Sequence, residues 1–185
     1  MNLMNLVRWQ EKGYIIKLRN RWYAFNDAES SENMEWLAAN LIYSPSYISL
    51  HTALSWYNLI PEMIATTTSV TTRKTNKFST PLGSFDYHSI KPELFGFGYV
   101  LEDMDPFRGK RGKSRKIMVA SRQKAILDFF YINNYYNTEK DMEDLRLNET
   151  ELQKIINDEF YQNLGRYQSN ALERRIRKLT KIYSL

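Results

Sequence analysis

The sequence predicts an α+β fold: a small antiparallel or mixed sheet flanked by helices, preceded by a helix-plus-hairpin element and followed by a helical segment. Three observations carry this. β-branched runs and turn residues alternate between residues 64 and 120. Apolar residues recur at helical spacing on both sides of that stretch. A hydrophobic fraction of 43% over 185 residues suffices for one buried core with a small appendage. The boundary falls near residue 28, giving an N-terminal element over 1–28 and an α+β domain over 29–185.

Leu3, Leu6, Val7 and Gln10 fall at helical spacing, and Gly13 closes that helix. Residues 14–18 then read as a strand, Arg19-Asn20-Arg21 as a short turn and residues 22–25 as the return strand. A helix followed directly by a basic-tipped hairpin is the back half of a winged helix, whose helix enters a major groove and whose wing touches phosphate or the minor groove. Lys17, Arg19, Asn20 and Arg21 stand where a wing needs them and are the candidate DNA contacts. A winged helix has two further helices ahead of these; the chain begins at Met1, so the element reads as a shortened winged helix. The competing reading packs Trp9, Tyr14, Trp22 and Phe25 as a cap on the main domain.

Residues 26–31 are polar and read as a linker. Ser31 with Glu35 opens a helix through Met34, Leu37, Ala38 and Leu41, which Ser44-Pro45-Ser46 breaks. Ser49 caps a second helix over 50–58, with Leu50, Ala53, Leu54 and Tyr57 as its apolar stripe and Leu59-Ile60-Pro61 as its end. Residues 64–72 form a β-branched strand and 73–77 a basic turn. Phe78 with residues 82–90 is the antiparallel return, interrupted at Pro81-Leu82-Gly83. Residues 95–99 begin another strand, whose glycines allow close backbone approach or a bulge. Residues 109–116 read as a mobile loop and 117–120 as a short strand. Ser121 caps an apolar helix through Ala125, Ile126, Phe129, Phe130 and Ile132. Helical segments over 139–145, 149–164 and 169–184 follow, the last striped by Leu172, Ile176, Leu179 and Tyr183.

The formal charge is +5, and it is clustered. Residues 108–124 carry eight Lys and Arg without an acid, 139–159 are acidic, and the final helix is basic again. Clustering of this kind points to a polyanion or an acidic protein partner, with a solvated surface as the plain alternative. Around the 73–77 turn, Thr71, Thr72, Thr75 and Asn76 add side chains that bond phosphate oxygens; the alternative there is an exposed hairpin tip with protective lysines. Arg73, Lys74, Lys77, Arg108, Lys110, Arg111, Lys113, Arg115, Lys116, Arg174, Arg175 and Lys178 make up the candidate surface for an anionic ligand or partner.

The absence of cysteine excludes disulfides, thiol catalysis and cysteine-based zinc sites. No apolar run approaches the roughly 20 residues of a membrane span, and residues 1–7 lack a signal-peptide pattern, so a cytoplasmic chain with no membrane partner is expected. His51 and His88 have no ligand spacing; neither metal nor cofactor is expected. Gly83-Ser84 and Asp103-Met104-Asp105 look like the pieces of a nucleotidyltransferase site but stand too far apart for that motif. Neither a Walker loop, nor G-x-G-x-x-G, nor G-x-S-x-G occurs. A non-enzyme is expected.

Five sets of residues then follow in a fixed order. They are Tyr47-Ile48-Ser49 with Ala53-Leu54; Thr68-Ser69-Val70-Thr71 with Lys74 and Phe78; Gly83, Phe85 and Tyr87; Phe95, Gly98 and Tyr99; and Ala120, Lys124-Ala125 and Leu127-Asp128. Over residues 43–131 this order resembles the C-terminal domain of the AbiEi-type antitoxins. The family tends to an acidic residue before the lysine, where this chain has Gln123. The resemblance implies a binding protein of a bacterial abortive-infection system. Such antitoxins repress their own operon through an N-terminal winged helix. They oppose a nucleotidyltransferase-like toxin without a stable complex, and the C-terminal domain, with basic surface residues, carries the antitoxin activity. The expected function is therefore an antitoxin and transcriptional regulator, with operator DNA and such a toxin as partners. One alternative is a protein–protein module that docks an acidic partner without DNA. Another is a phosphoryl-transfer or nuclease enzyme dependent on Asp103 or Asp105.

Overall fold

The computed structural model describes residues 3–26, 32–104 and 115–185. Arg108, Lys110, Arg111 and Lys113 of the expected basic loop lie outside the described residues, as does Asp105. The N-terminal element holds α1 (Leu3–Glu11), β1 (Ile15–Arg19) and β2 (Trp22–Phe25). The domain continues with α2 (Glu32–Ile42), β3 (Ser46–Ile48), α3 (Leu50–Trp56), β4 (Thr66–Thr71), β5 (Asn76–Thr80), β6 (Gly83–Ser89), α4 (Pro92–Phe95), β7 (Tyr99–Met104) and β8 (Arg115–Ala120). Five helices end the chain: α5 (Arg122–Ile132), α6 (Glu139–Asp144), α7 (Glu149–Ile155), α8 (Asp158–Arg166) and α9 (Asn170–Ile182).

The architecture is α+β. A six-stranded mixed sheet in the order β5-β6-β4-β3-β8-β7 is flanked by helices, and β1 and β2 form a separate two-stranded antiparallel sheet. Gly13 at φ 68° closes α1, with the Tyr14 amide donating to the Trp9 carbonyl at 2.9 Å, a left-handed helix stop that glycine adopts without a Cβ clash. Three expectations are corrected. First, β6 runs parallel to β4, and its antiparallel partner is β5. Pro81-Leu82 is the two-residue turn of a β5–β6 hairpin closed by the Thr80–Gly83 pair, not an interruption within one strand. Residues 72–75 are consequently a crossover from β4 to the sheet edge rather than a hairpin tip. Second, residues 46–48 are a strand as well as a helix stop. They lie between β4 and β8, buried throughout, because both edges find partners in the sheet. Third, 149–164 is two helices: Asn157 accepts from the Phe160 amide and so opens α8 afresh, while Ile156 is extended.

Strand alternation divides the side chains between the two faces of the sheet. Tyr87 stands on the α2 face, where its hydroxyl donates to the Ala39 carbonyl at 2.7 Å, joined there by Ser46 Oγ at 3.1 Å. Thr68, paired with Asp86 in the β4–β6 register, stands on the other face, where its hydroxyl donates to the Ser49 carbonyl at 2.7 Å in front of α3. α5 covers the same face, with α8 and α9 packed behind it. Between the layers, Tyr47, Phe85, Tyr87, Phe129, Phe130 and Phe160 are fully buried.

Candidate functional site

The basic residues divide sharply by their partners. At the end of β1 the register shifts between Lys17 and Arg19, and such a bulge re-aims the side chain that follows it. Arg19 Nη1 donates to the Ile42 carbonyl at 2.6 Å, and its guanidinium carbon lies 5.1 Å from the Tyr43 ring centroid and 4.7 Å from that of Phe78. From the 72–75 crossover, the Arg73 guanidinium reaches the same Tyr43 ring at 5.4 Å, and the Tyr43 hydroxyl donates to the Lys74 carbonyl at 2.9 Å. The expected wing and the expected basic turn thus meet at Tyr43. Arg19 is the half-buried docking residue, while Lys17, Asn20, Arg21, Arg73 and Lys74 are exposed.

The remaining candidates do not join this rim. Lys77 on β5 turns to the α3 face and binds Asp86 at 2.7 Å. Arg115 and Lys116 lie on β8, beside the opposite edge strand β7, where Lys116 faces Asp103 at 3.7 Å. Arg175 is buried; its Nε donates to the Phe130 carbonyl at 3.0 Å, and burial lowers its pKa from the ordinary arginine value. Lys178 donates to the Asn137 carbonyl at 2.7 Å, and Arg174 is exposed on α9, which packs against α5 on the far side of the sheet from α2.

The structure also holds an ionic centre that sequence reasoning passed over as packing. Lys124 and Asp128 are one turn apart on α5, with side chains 1% and 0% exposed, and their Nζ–Oδ1 distance is 2.7 Å. Lys124 Nζ also donates to the Leu94 carbonyl and to the Tyr167 hydroxyl, both at 2.8 Å. Asp128 Oδ1 additionally accepts from Tyr167 at 2.6 Å, and Oδ2 accepts from Tyr47 at 2.8 Å and Ser49 at 3.0 Å. Three ammonium protons and four acceptor positions are all used, as a buried pair requires. Burial pulls the Lys124 pKa down against the upward pull of Asp128; burial first, then Asp128, raises those of Tyr47 and Tyr167. Gly98 seals the centre: at φ 71° it is left-handed, and a Cβ there would lie 3.0 Å from Lys124 Cδ. With every donor and acceptor satisfied and no exposure, this centre ties β3, α4, α5 and the α8–α9 turn together and offers a ligand nothing. The sequence signal was a Lys–Asp pair four residues apart on a largely apolar helix; Tyr167 and Leu94 gave none.

A groove of about 700 Å³ opens over β5, β6 and β4 beside the first turn of α3. Its floor carries Asp86, whose Oδ2 binds Lys77 and stands 3.5 Å from His88 Nε2; its Oδ1 is buried without a hydrogen-bond partner. His51, edge-on to Phe129 at 4.9 Å, lines the groove, and burial followed by His88 lowers its pKa. Among the described residues, no group of three or more His, Asp or Glu could hold a metal ion, and no helix is long and apolar enough to cross a membrane.

The chain matches no family model and no curated protein. Tyr47, Ser49, Gly98, Lys124 and Asp128, which the sequence reading grouped with other positions over residues 43–131, meet at the buried Lys124–Asp128 centre.

Proposed function

We propose that the chain is a cytoplasmic antitoxin and transcriptional regulator of the AbiEi type, acting by binding rather than catalysis. In this reading its nucleic-acid contact is the basic rim around Tyr43. The observation that carries it is the meeting of Arg19 and Arg73 on that ring, which brings the hairpin turn and the β4–β5 crossover side by side. Exposed Lys17, Arg21 and Lys74 flank the two arginines in sequence and supply mobile cations suited to phosphate oxygens. Arg19 serves as the anchor of the hairpin, which revises its expected role from a DNA contact to a positioning residue. The antitoxin half of the reading rests on the sequence resemblance over residues 43–131.

The test is binding of the purified chain to its own promoter fragment across a salt series, with unrelated duplex as competitor. Specific binding that weakens steeply with salt is expected, since phosphate neutralisation releases counterions. No specific binding would overturn the regulator reading and leave a module that docks an acidic protein. For the antitoxin half, co-expression with the nucleotidyltransferase-like toxin of the same operon is expected to restore growth; no rescue would remove it.

A further inference from the structure

We infer that the groove over β5, β6 and β4 is a seat for an arginine side chain of a partner polypeptide, with Asp86 as its counter-ion. The Asp86 carboxylate is 13% exposed and stands on an interior strand, so it needs a matched cation. The cation it has is Lys77, whose side chain is 77% exposed and reaches in from the edge strand. An ammonium at 2.7 Å serves Oδ2 alone and leaves the buried Oδ1 without a donor. A guanidinium presents two parallel N–H groups and satisfies both oxygens at once, so the carboxylate is better matched to arginine than to the lysine beside it.

The walls fit the rest of the side chain. Ser79 and Ser84, a cross-strand pair, and Thr66 line the groove with hydroxyl oxygens that accept from the remaining N–H groups. Met63 and Ile64 provide an apolar wall for the aliphatic stem. His51, held neutral at pH 7 by its lowered pKa, adds a polar wall without repelling the guest. In this arrangement Lys77 is a displaceable placeholder: when the guanidinium enters, the lysine swings out to solvent.

The chain has only two histidines, and one lines the groove while the other faces Asp86, so their ring proton NMR signals report occupancy directly. The probe is Nα-acetyl-arginine methylamide, a blocked arginine that mimics a peptide residue. Its citrulline counterpart, neutral and of the same shape, and its lysine counterpart are the comparisons. The arginine probe is expected to shift both histidines to saturation at low salt. The citrulline probe should leave them unmoved, and the lysine probe should bind several-fold more weakly. Asp86→Asn should abolish the response. Lys77→Met, at an exposed position outside the core, should tighten arginine binding several-fold by removing the competitor; this arm stands even if Asp86→Asn disturbs folding. Equal shifts from citrulline or lysine, a response retained in Asp86→Asn, or unchanged or weaker affinity in Lys77→Met would each overturn the assignment.

Discussion

Arg19 and Lys124 do the same mechanical work in opposite ways. Each is a cation that bonds a backbone carbonyl from a distant element and lies over aromatic rings: Ile42, Tyr43 and Phe78 for Arg19, Leu94, Phe97 and Tyr167 for Lys124. Lys124 is also neutralised by Asp128 and sealed from water. Arg19 is half-buried, and among the described residues its partners are a carbonyl and two rings. Ring faces attract a guanidinium without cancelling its charge. The lysine therefore builds the fold and contributes little outside it, whereas the arginine fixes the hairpin and still adds to the positive field of the rim. The N-terminal element buries only Leu6 and Ile15 among its described apolar residues and packs Leu18 against the main core, while Val7, Tyr14 and Phe25 stay exposed, so the Arg19 contacts add to a small apolar attachment.

The largest expected effect lies at the sealed pair. Asp128→Ala leaves an uncompensated buried ammonium and should cost about 3–5 kcal/mol, read from the urea midpoint. Replacing both partners by apolar residues should cost less than the sum of the single changes; an additive result would mean that the two residues do not act as a pair. Next comes Gly98→Ala, which adds a Cβ against Lys124 at a left-handed backbone position and should cost about 1–3 kcal/mol. A neutral result there would show that the lysine stem can shift aside.

Arg19→Ala should cost about 1 kcal/mol, confined to the attachment of the hairpin. Amide exchange in β1 and β2 should accelerate while the global urea midpoint stays in place. A fall in the global midpoint would make the hairpin part of the main cooperative unit and erase the contrast between the two regions.

The smallest effect is a pH dependence. His51 faces His88, Glu62 and Asp86, and its pKa in the folded chain lies below its ordinary 6.5. Below that pH the unfolded chain binds the extra proton first, so this contribution is intact above 6.5 and is lost as pH falls through the lowered value. His51→Gln should flatten the slope in that window; an unchanged slope would place the titration elsewhere.

Most helices were legible because they announce themselves locally, although the short α4 and the break at Ile156 between α7 and α8 were not read. Ser121, Thr138, Asn148 and Ser169 accept from backbone amides at helix starts, and apolar spacing does the rest. The sheet order was not legible, because strand pairing is a non-local choice that alternation alone does not encode. Pro81-Leu82-Gly83 looked like a flaw within one strand, and only the β5–β6 ladder shows it to be a turn that sends β6 back beside β4. The same limit applies to the basic residues. Arg19, Lys77 and Arg175 read alike in sequence, yet one docks on rings, one sits beside a carboxylate and one is buried against a carbonyl. What separates them is the partner each meets across 23, 9 and 45 residues of chain.

The central claim, that exposed cations on the rim around Tyr43 contact nucleic-acid backbone, is tested most directly by the salt dependence of duplex binding. The measurement compares the parent chain with an Arg21→Ala, Lys74→Ala double variant. Losing two phosphate contacts should flatten the slope of log affinity against log salt by about 1.8, with the fold intact because both side chains are exposed. An unchanged slope would contradict the account and remove the rim from any role in binding nucleic acid.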